Sequence, residues 1–262
     1  MAAHNRFAIP IVDHCNLNCR SCGNFAPLAQ PTFLDVNGIK DGLVKLAELT
    51  NADIDINIYG GEPLLHPKLL DIVRSVRQLF PRTDITITTN GTLLQQRHKY
   101  FWQTLRDNNV AIIISHYPCL SKYIDKDIIK LIANHYGTQL HYITEEPQKM
   151  YDNPLDLSGQ QDINQNWLWC SMAKICPANI RGNIVYGCYL VAFVHHFNTY
   201  FNQQVPVVEQ DYKDITTIQS MDELVNFLSN PIPFCKFCKV PGNTNTDKVW
   251  TRSERKIEEW TT

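Results

Sequence analysis

Nine cysteines stand in this chain of 262 residues, and they are clumped rather than evenly spaced. The first three form a CxxxCxxC motif at Cys15, Cys19 and Cys22. Three thiolates at this spacing can hold three irons of a [4Fe–4S] cluster and leave the fourth iron open to a substrate or cofactor. The alternative is a zinc site completed by His14 or by a distant cysteine, although zinc sites more often use CxxC pairs. The motif therefore favours an iron–sulfur site with one open iron.

A second group of cysteines lies in the last third of the chain. Cys235 and Cys238 form a CxxC pair, and Cys188 follows a predicted hairpin. Cys170 and Cys176 are both candidates for a fourth thiolate. Four thiolates close a metal centre, so we expect either a second iron–sulfur cluster that relays electrons or a structural zinc ribbon.

Cys119 stands apart from both groups, after the fourth predicted strand. A thiol at this end of a strand can donate a hydrogen atom to a substrate radical, which a redox-neutral epimerase would require. The alternative is an inert cysteine in an apolar environment.

Strand-like and helix-like segments alternate up to about residue 145. The predicted strands are Arg6–Asp13, Ile54–Tyr59, Ile85–Thr88, Val110–Ile114 and Leu140–Ile143. Predicted helices cover residues 39–49, 66–79, 93–107 and 121–134. Units of this length predict right-handed crossovers and a parallel sheet. We therefore expect an α/β fold, a partial (β/α) barrel of five or six units of the TIM type, with functional residues on the loops after the strands.

The pattern changes near residue 150, which divides the chain into a predicted barrel domain (1–150) and a small cysteine-rich lobe (151–262). In the lobe we predict a loop over Pro147–Trp169, a hairpin over Asn179–Tyr186 and a helix over Met221–Leu228. The segment Trp250–Trp260 is predicted to be a helix that packs its tryptophans on the body of the protein.

Three motifs occur in series at the ends of the first three predicted strands. The cysteine motif comes first, Gly60-Gly61-Glu62-Pro63 second and Thr89-Asn90-Gly91 third. On these motifs, the chain resembles the radical SAM superfamily over about residues 6–145. These are iron–sulfur enzymes that cleave S-adenosylmethionine (SAM).

The resemblance implies a role for each motif. Cys15, Cys19 and Cys22 ligate the cluster, and SAM chelates the fourth iron through its amino and carboxylate groups. One electron then splits SAM into methionine and a 5′-deoxyadenosyl radical, which takes a hydrogen atom from the substrate. The expected SAM contacts are Gly60, Gly61, Glu62, Pro63, Asn90 and Ser115. Ser21 stands where many members carry an aromatic residue against adenine, so Phe25 is the candidate for that contact.

The later cysteines resemble the shortened auxiliary-cluster lobe of some members, called twitch and related to the SPASM lobe. The layout is similar to that of dehydrogenases that oxidise a secondary alcohol of an aminocyclitol. The resemblance implies a second [4Fe–4S] cluster on Cys170, Cys188, Cys235 and Cys238. Cys176 is the alternative to Cys170, whose distance to Gly182 suits the family pattern better.

These features predict an oxidoreductase that abstracts hydrogen from a small polyhydroxylated substrate, namely a sugar, an aminocyclitol or a nucleotide sugar. The few residues before Cys15 and the short lobe favour a small molecule over a peptide. The alternatives are a redox-neutral epimerase or dehydratase, a peptide-modifying radical SAM enzyme, and a zinc-stapled interaction protein without catalysis.

The overall composition narrows the partners. A formal net charge of -2 argues against a nucleic-acid-binding protein. The sequence has neither an apolar run of the ~18 residues that a membrane helix needs nor a signal peptide. We therefore expect a cytoplasmic protein that receives electrons from a flavodoxin or ferredoxin.

Two further pairs invite a functional interpretation. His195 and His196 are adjacent in an apolar segment, so at most one of them points inward and a metal-ligand role is disfavoured. Glu145 and Glu146 lie in a polar loop and are interpreted as a solvated surface pair.

Overall fold

The computed structural model describes residues 5–50, 54–115, 117, 122–143, 154–170, 173, 176–240 and 250–262. Eight strands form one sheet in the order β5-β4-β3-β2-β1-β6-β7-β8. The strands are β1 Arg6–Val12, β2 Asp55–Gly60, β3 Asp84–Thr89, β4 Val110–Ser115, β5 Leu140–Ile143, β6 Ala178–Arg181, β7 Ile184–Tyr186 and β8 Tyr212–Asp214. The helices are α1 Val36–Leu49, α2 Leu69–Leu79, α3 Lys99–Asp107, α4 Lys126–Tyr136, α5 Ile163–Trp169, α6 Tyr189–Phe201 and α7 Met221–Leu228.

Strands β1 to β5 pair in parallel, each with the next in the chain. Strand β6 pairs in parallel with the other side of β1, and β7 and β8 continue the sheet as antiparallel strands. The predicted α/β fold with a mostly parallel, open sheet is therefore confirmed. The predicted division near residue 150 stays a prediction, and the strands after that point extend the same sheet.

The two faces of the sheet differ because side chains alternate along each strand. On β2, Ile56 and Ile58 are buried in a core that also contains apolar residues of α1 and α2. On the opposite face, Thr86 and Thr88 both donate a hydrogen bond to Asn57 Oδ1. The helix-covered face is thus aliphatic, and the other face is polar at β2 and β3.

A second core covers this polar face on the side of β1 and β6. It is built mainly from α6, whose Phe193 ring meets Tyr59 of β2 edge to face with ring centroids 6.4 Å apart. The Tyr59 hydroxyl donates a hydrogen bond to Asn179 of β6. Helix α6 therefore links the later strands to the polar face of the sheet.

Several elements outside the sheet differ from the sequence predictions, and one of them is α3, which begins at Lys99 rather than at residue 93. The predicted loop over Pro147–Trp169 contains helix α5, because the Asp162 carboxylate accepts a hydrogen bond from the Gln165 amide (2.7 Å) and caps its start. The predicted C-terminal helix is wrong, because only Ile257–Glu259 forms a short 3₁₀ turn there. The predicted packing of the terminal tryptophan is confirmed, since Trp260 is buried.

None of the helices in the described part of the chain is both long and apolar enough to cross a membrane.

Two glycines bring the loop after β2 against the chain that leads into the first cysteine motif. The Gly61 amide donates to the Val12 carbonyl (2.6 Å), and the Glu62 amide donates to the His14 carbonyl (3.1 Å). A Cβ atom at position 60 would lie 2.3 Å from the Val12 carbonyl oxygen, and one at position 61 would lie 2.0 Å from that of His14. Only glycine fits at either position without a backbone shift.

Replacement of Gly61 by alanine is expected to lower the free energy of unfolding by about 1–3 kcal/mol, because the added methyl group overpacks this contact. Chemical unfolding of the metal-free protein measures the change. Gly38→Ala in α1 is the matched control, because a Cβ there meets nothing within 4 Å. The control is expected to be neutral or stabilising by roughly 0.5–1 kcal/mol. Equal stabilities for the two variants would contradict the packing argument.

Candidate active site

The first cysteine motif curls directly after β1. Its turns place Asn18 and Ser21 at φ of 53° and 52°, and Phe25 follows at 51°. Such left-handed conformations are unfavourable for residues other than glycine, so surrounding contacts must hold them. The Cys15 sulfur accepts hydrogen bonds from the Leu17 amide (3.5 Å) and the Asn90 side-chain amide (3.6 Å).

The three cysteines are partly buried and lie near one phenol, that of Tyr117. Burial raises the pKa of Tyr117 well above its ordinary value, and charge on Cys19, Cys22 and Cys15 adds to this rise. Burial, with the neighbouring Glu62, raises the pKa of Cys15 to about 12. Burial also raises the pKa of Cys22. A bound metal displaces such thiol protons, so three grouped, partly buried sulfur donors fit a cluster with one open iron.

The buried carboxylate of Glu62 ties the loop after β2 to the loop after β3. It accepts hydrogen bonds from the Leu64 amide (2.9 Å), the Thr89 hydroxyl (2.6 Å) and the Asn90 amide (2.8 Å). Burial nevertheless raises the pKa of Glu62. Pro63 begins a short 3₁₀ turn that the same carboxylate caps. This buried acid therefore holds two of the three motifs in register.

Asn90 connects the third motif to the first. Its side-chain amide donates to Asn16 Oδ1 (2.8 Å), and its Oδ1 accepts from the Thr92 hydroxyl (2.7 Å). Asn16 in turn donates to the Thr92 hydroxyl (2.8 Å). The motifs predicted to act together thus share one polar network beside Cys15. Ser115 ends β4 and is partly buried at the same edge of the sheet.

The placement of Phe25 differs from its predicted role. Its side chain is 1% exposed, and its ring packs on Phe197 and Trp260 with centroids 5.7 and 6.2 Å apart. Phe25 is therefore a core residue rather than an exposed platform for adenine. Cys119, Glu145 and Glu146 lie outside the described residues.

The second cysteine group gathers around one cavity. Cys170, Cys176, Cys188, Cys235 and Cys238 all line it. Burial raises the pKa of Cys188 to about 12, and charge on Cys170 and Cys235 contributes. Cys170 likewise contributes to the raised pKa values of Cys235, Cys238 and Cys176. Both Cys170 and Cys176 line the cavity, so the choice of Cys170 as the fourth ligand stays a prediction.

Asn166 of α5 fixes the CxxC turn of this second group. The buried side-chain amide of Asn166 donates to the carbonyl oxygens of Cys235 (2.7 Å) and Cys238 (2.5 Å). No sequence motif marks Asn166, which lies in a segment predicted to be a loop.

A buried ion pair, also missed in the sequence, links the two cysteine regions. The Arg181 guanidinium donates to both carboxylate oxygens of Asp13 (2.8 and 3.1 Å), and His196 Nε2 lies 3.3 Å from the same carboxylate. Burial favours a raised pKa for Asp13, but the neighbouring His196 and Arg181 lower it to about 2. Asp13 precedes the first motif and Arg181 ends β6, so no spacing rule joins them.

The same network bears on the adjacent histidines. His196 is buried while His195 is exposed, which confirms that at most one of them points inward. The ligating atoms of Asp13, His195 and His196 lie within 4.8 Å of one another. Because Arg181 already occupies both oxygens of Asp13, the arrangement is an ion-pair network rather than a metal site.

The sequence of this region matches a known family. The model of the radical SAM superfamily matches residues 9–118, which include the three motifs. The chain therefore carries a radical SAM domain, and the predicted cofactors, SAM and a [4Fe–4S] cluster, are confirmed at the level of that family.

Particular relatives share parts of the chain. A GTP 3′,8-cyclase from Microcystis aeruginosa is 32% identical over 108 residues, covering 40% of this chain and 33% of that protein. A GTP 3′,8-cyclase from Limosilactobacillus fermentum is 35% identical over 102 residues, covering 37% and 29%. The chain thus spans about a third of the length of these curated relatives.

Two solved structures share the fold over nearly the whole chain. BtrN in complex with AdoMet and 2-DOIA superposes with a TM-score of 0.51 at 16% identity, covering 95% of this chain and 96% of BtrN. Native anSMEcpe with bound AdoMet gives a TM-score of 0.54 at 13% identity, covering 94% and 93%. At these identities the likeness shows the fold alone.

Anaerobically reconstituted protein is expected to bind about eight irons with matching sulfide, four at each cysteine site. Replacing Cys15, Cys19 and Cys22 by alanine should remove about four of them, and replacing Cys235 and Cys238 should remove the other four. Iron and sulfide analysis measures both losses.

Cys176→Ala is the matched control for Cys170→Ala at the second site. The control should leave the iron content unchanged, while Cys170→Ala should lower it. If the Cys176 variant loses iron instead, Cys176 rather than Cys170 is the fourth ligand. Zinc in place of iron would contradict the cluster assignment.

Proposed function

We propose that this protein is a radical SAM enzyme that abstracts a hydrogen atom from a hydroxyl-bearing carbon of a small polyhydroxylated substrate and oxidises that alcohol to a ketone. The substrate class is a sugar, an aminocyclitol or a nucleotide sugar. The observation that carries the proposal is the pair of cysteine sites, one with three grouped thiols and one with at least four.

The first site supplies the radical chemistry. Bound SAM and its cluster provide a 5′-deoxyadenosyl radical, which is the oxidant for an unactivated C–H bond. The chain's contribution is to position these groups. Cys15, Cys19 and Cys22 would hold the irons, and SAM would lie at the strand ends that carry Gly60, Gly61, Glu62, Pro63, Asn90 and Ser115.

The residues on the polar face of the sheet favour a hydroxyl-rich substrate. The Thr86 and Thr88 hydroxyls each donate to Asn57 Oδ1 there, at 3.2 and 2.9 Å. Tyr59 and Asn179 form a second uncharged pair. Hydroxyl and amide groups both donate and accept, so they can exchange these contacts for those of a polyol without burying an unpaired charge.

The second site supports oxidation rather than a redox-neutral outcome. Converting an alcohol to a ketone removes two electrons and two protons. One electron and one proton leave as the hydrogen atom, the second proton leaves from the hydroxyl group, and the second electron needs an acceptor. A cluster held by Cys170, Cys188, Cys235 and Cys238 would supply that acceptor.

Two likenesses bear on the substrate. The cysteine layout resembles that of 2-deoxy-scyllo-inosamine dehydrogenase, which oxidises a secondary alcohol on an aminocyclitol. The similarity to GTP 3′,8-cyclases covers about a third of their length. From the similarity to GTP 3′,8-cyclases we therefore infer shared SAM chemistry. We do not infer a shared substrate from it.

Deuterium placed at the reacting carbon of the substrate is expected to appear in 5′-deoxyadenosine, because the abstracted atom ends there. Mass spectrometry of the nucleoside, with 2-deoxy-scyllo-inosamine and a panel of sugars as substrates, measures the transfer. The Cys15→Ala variant is the control and should give none. Absence of transfer from every sugar-like substrate, together with transfer from GTP, would overturn the proposal.

The product distinguishes oxidation from epimerisation. A ketone two mass units lighter than the substrate supports oxidation. A product of unchanged mass, lost in Cys119→Ala while SAM cleavage continues, would instead support an epimerase in which that thiol donates the hydrogen atom.

A further inference from the structure

The last residues of the chain lie against the first cysteine motif. We call residues 250–262 the C-terminal strap. The Arg20 amide donates to the Thr251 carbonyl (3.0 Å), and the Ser253 amide donates to the Asn18 carbonyl (2.8 Å). Cys19 and Arg252 pair between these bonds as an antiparallel bridge. The strap therefore adds a short strand-like partner to the loop that carries Cys19.

Two side-chain hydrogen bonds reinforce this pairing around Cys22. The Ser21 hydroxyl donates to the Glu259 carbonyl (2.6 Å), and Trp260 Nε1 donates to the Cys22 carbonyl (3.0 Å). The Trp260 side chain is 4% exposed. Its ring packs on Phe25 and on Phe201 of α6, with centroids 6.2 and 6.0 Å apart. The final tryptophan is thus wedged between the cysteine loop and the helix that follows Cys188.

The strap has its own internal support. The buried Glu259 carboxylate accepts hydrogen bonds from the Ser253 hydroxyl (2.6 Å), the Glu254 amide (2.7 Å) and the Lys256 amide (3.3 Å). A closed turn of this kind presents the Glu259 carbonyl and the Trp260 indole in fixed positions. It therefore offers a preformed surface to the cysteine loop.

The strap also reaches the second cysteine site. The Leu155 amide donates to the Trp260 carbonyl (2.7 Å), and the Thr262 amide donates to the Leu155 carbonyl (3.1 Å). Leu155 in turn pairs with Cys238 as an antiparallel bridge. One backbone segment thus separates the strap from the CxxC turn.

We propose that the C-terminal strap positions the cluster of the first cysteine site, to which SAM would bind. Trp260 and Ser21 are the positioning residues. The strap holds residues 18–22 in a loop whose left-handed backbone at Asn18 and Ser21 is unfavourable alone, so that the thiols of Cys19 and Cys22 converge with that of Cys15. Neither positioning residue ligates iron. The inference rests on the cluster assignment of the proposed function.

The holoenzyme tests this through Trp260→Phe, which keeps an aromatic ring but removes the indole donor, and Ser21→Ala, which removes the hydroxyl. A chelator should strip iron from the SAM-responsive cluster about fivefold faster in each variant, the effect expected for one lost hydrogen bond. The electron paramagnetic resonance (EPR) spectrum of that cluster should also shift. Trp169→Phe, at an exposed tryptophan of α5, is the matched control and should change neither property.

Ser21→Asn provides the rescue. Asparagine keeps a donor and tolerates a left-handed backbone, so this variant should return the chelation rate and the spectrum toward wild type. Rates and spectra equal to wild type in both Trp260→Phe and Ser21→Ala would overturn the proposal. If the Trp260 variant does not fold, Ser21→Ala alone decides.

A second measurement separates this inference from the proposed function. Amide hydrogen exchange of residues 18–22 in the metal-free protein measures how strongly the strap protects this loop from opening, whether or not a cluster forms there. Faster exchange in Ser21→Ala supports the strap even if the wild-type protein shows no SAM-responsive iron. Unchanged exchange would overturn the strap even if the enzyme is active.

Discussion

The site depends on one buried carboxylate. Glu62 has no contact with solvent, yet it accepts hydrogen bonds from the turn after β2 and from Thr89 and Asn90 at the end of β3. Parallel strands bring their carboxyl ends to one edge of a sheet, but they do not fix the loops that follow. Glu62 fixes these loops through its hydrogen bonds. The neighbouring glycines let the loop after β2 pack closely against the backbone of Val12 and His14, just before the cysteines. The cysteine loop thus starts from a rigid base.

Two sets of contacts hold the cysteine loop beyond this point. Asn16, Asn90 and Thr92 close a polar network on one side of the cysteine loop, and the C-terminal strap closes the other. The Asp13–Arg181 ion pair then joins the base to β6, a short chain distance from Cys188. The two cysteine sites therefore belong to one continuous scaffold, which suits the proposed reaction, in which one site would deliver an electron to SAM and the other would accept one from the substrate.

Local patterns predicted most of the scaffold and the ligands. Alternating isoleucines and valines define β1 to β5, and clumped cysteines define both sites, since each signal lies within a few residues. The misses concern long-range contacts. Phe25 is the predicted adenine contact, but in the structure its ring is enclosed by Phe197 and Trp260, which are remote in sequence. Likewise, nothing local to Trp260 indicates that its indole binds the Cys22 carbonyl instead of ending a helix.

EPR of the reduced protein, recorded before and after addition of SAM, tests whether the first cysteine site holds a cluster with an open iron. One [4Fe–4S] component is expected to change its g values with SAM, because the open iron of the Cys15–Cys19–Cys22 site takes a new ligand. That component should be missing in Cys15→Ala, while a second component persists. A spectrum that is the same with and without SAM, or a protein that binds zinc and no iron, would contradict it.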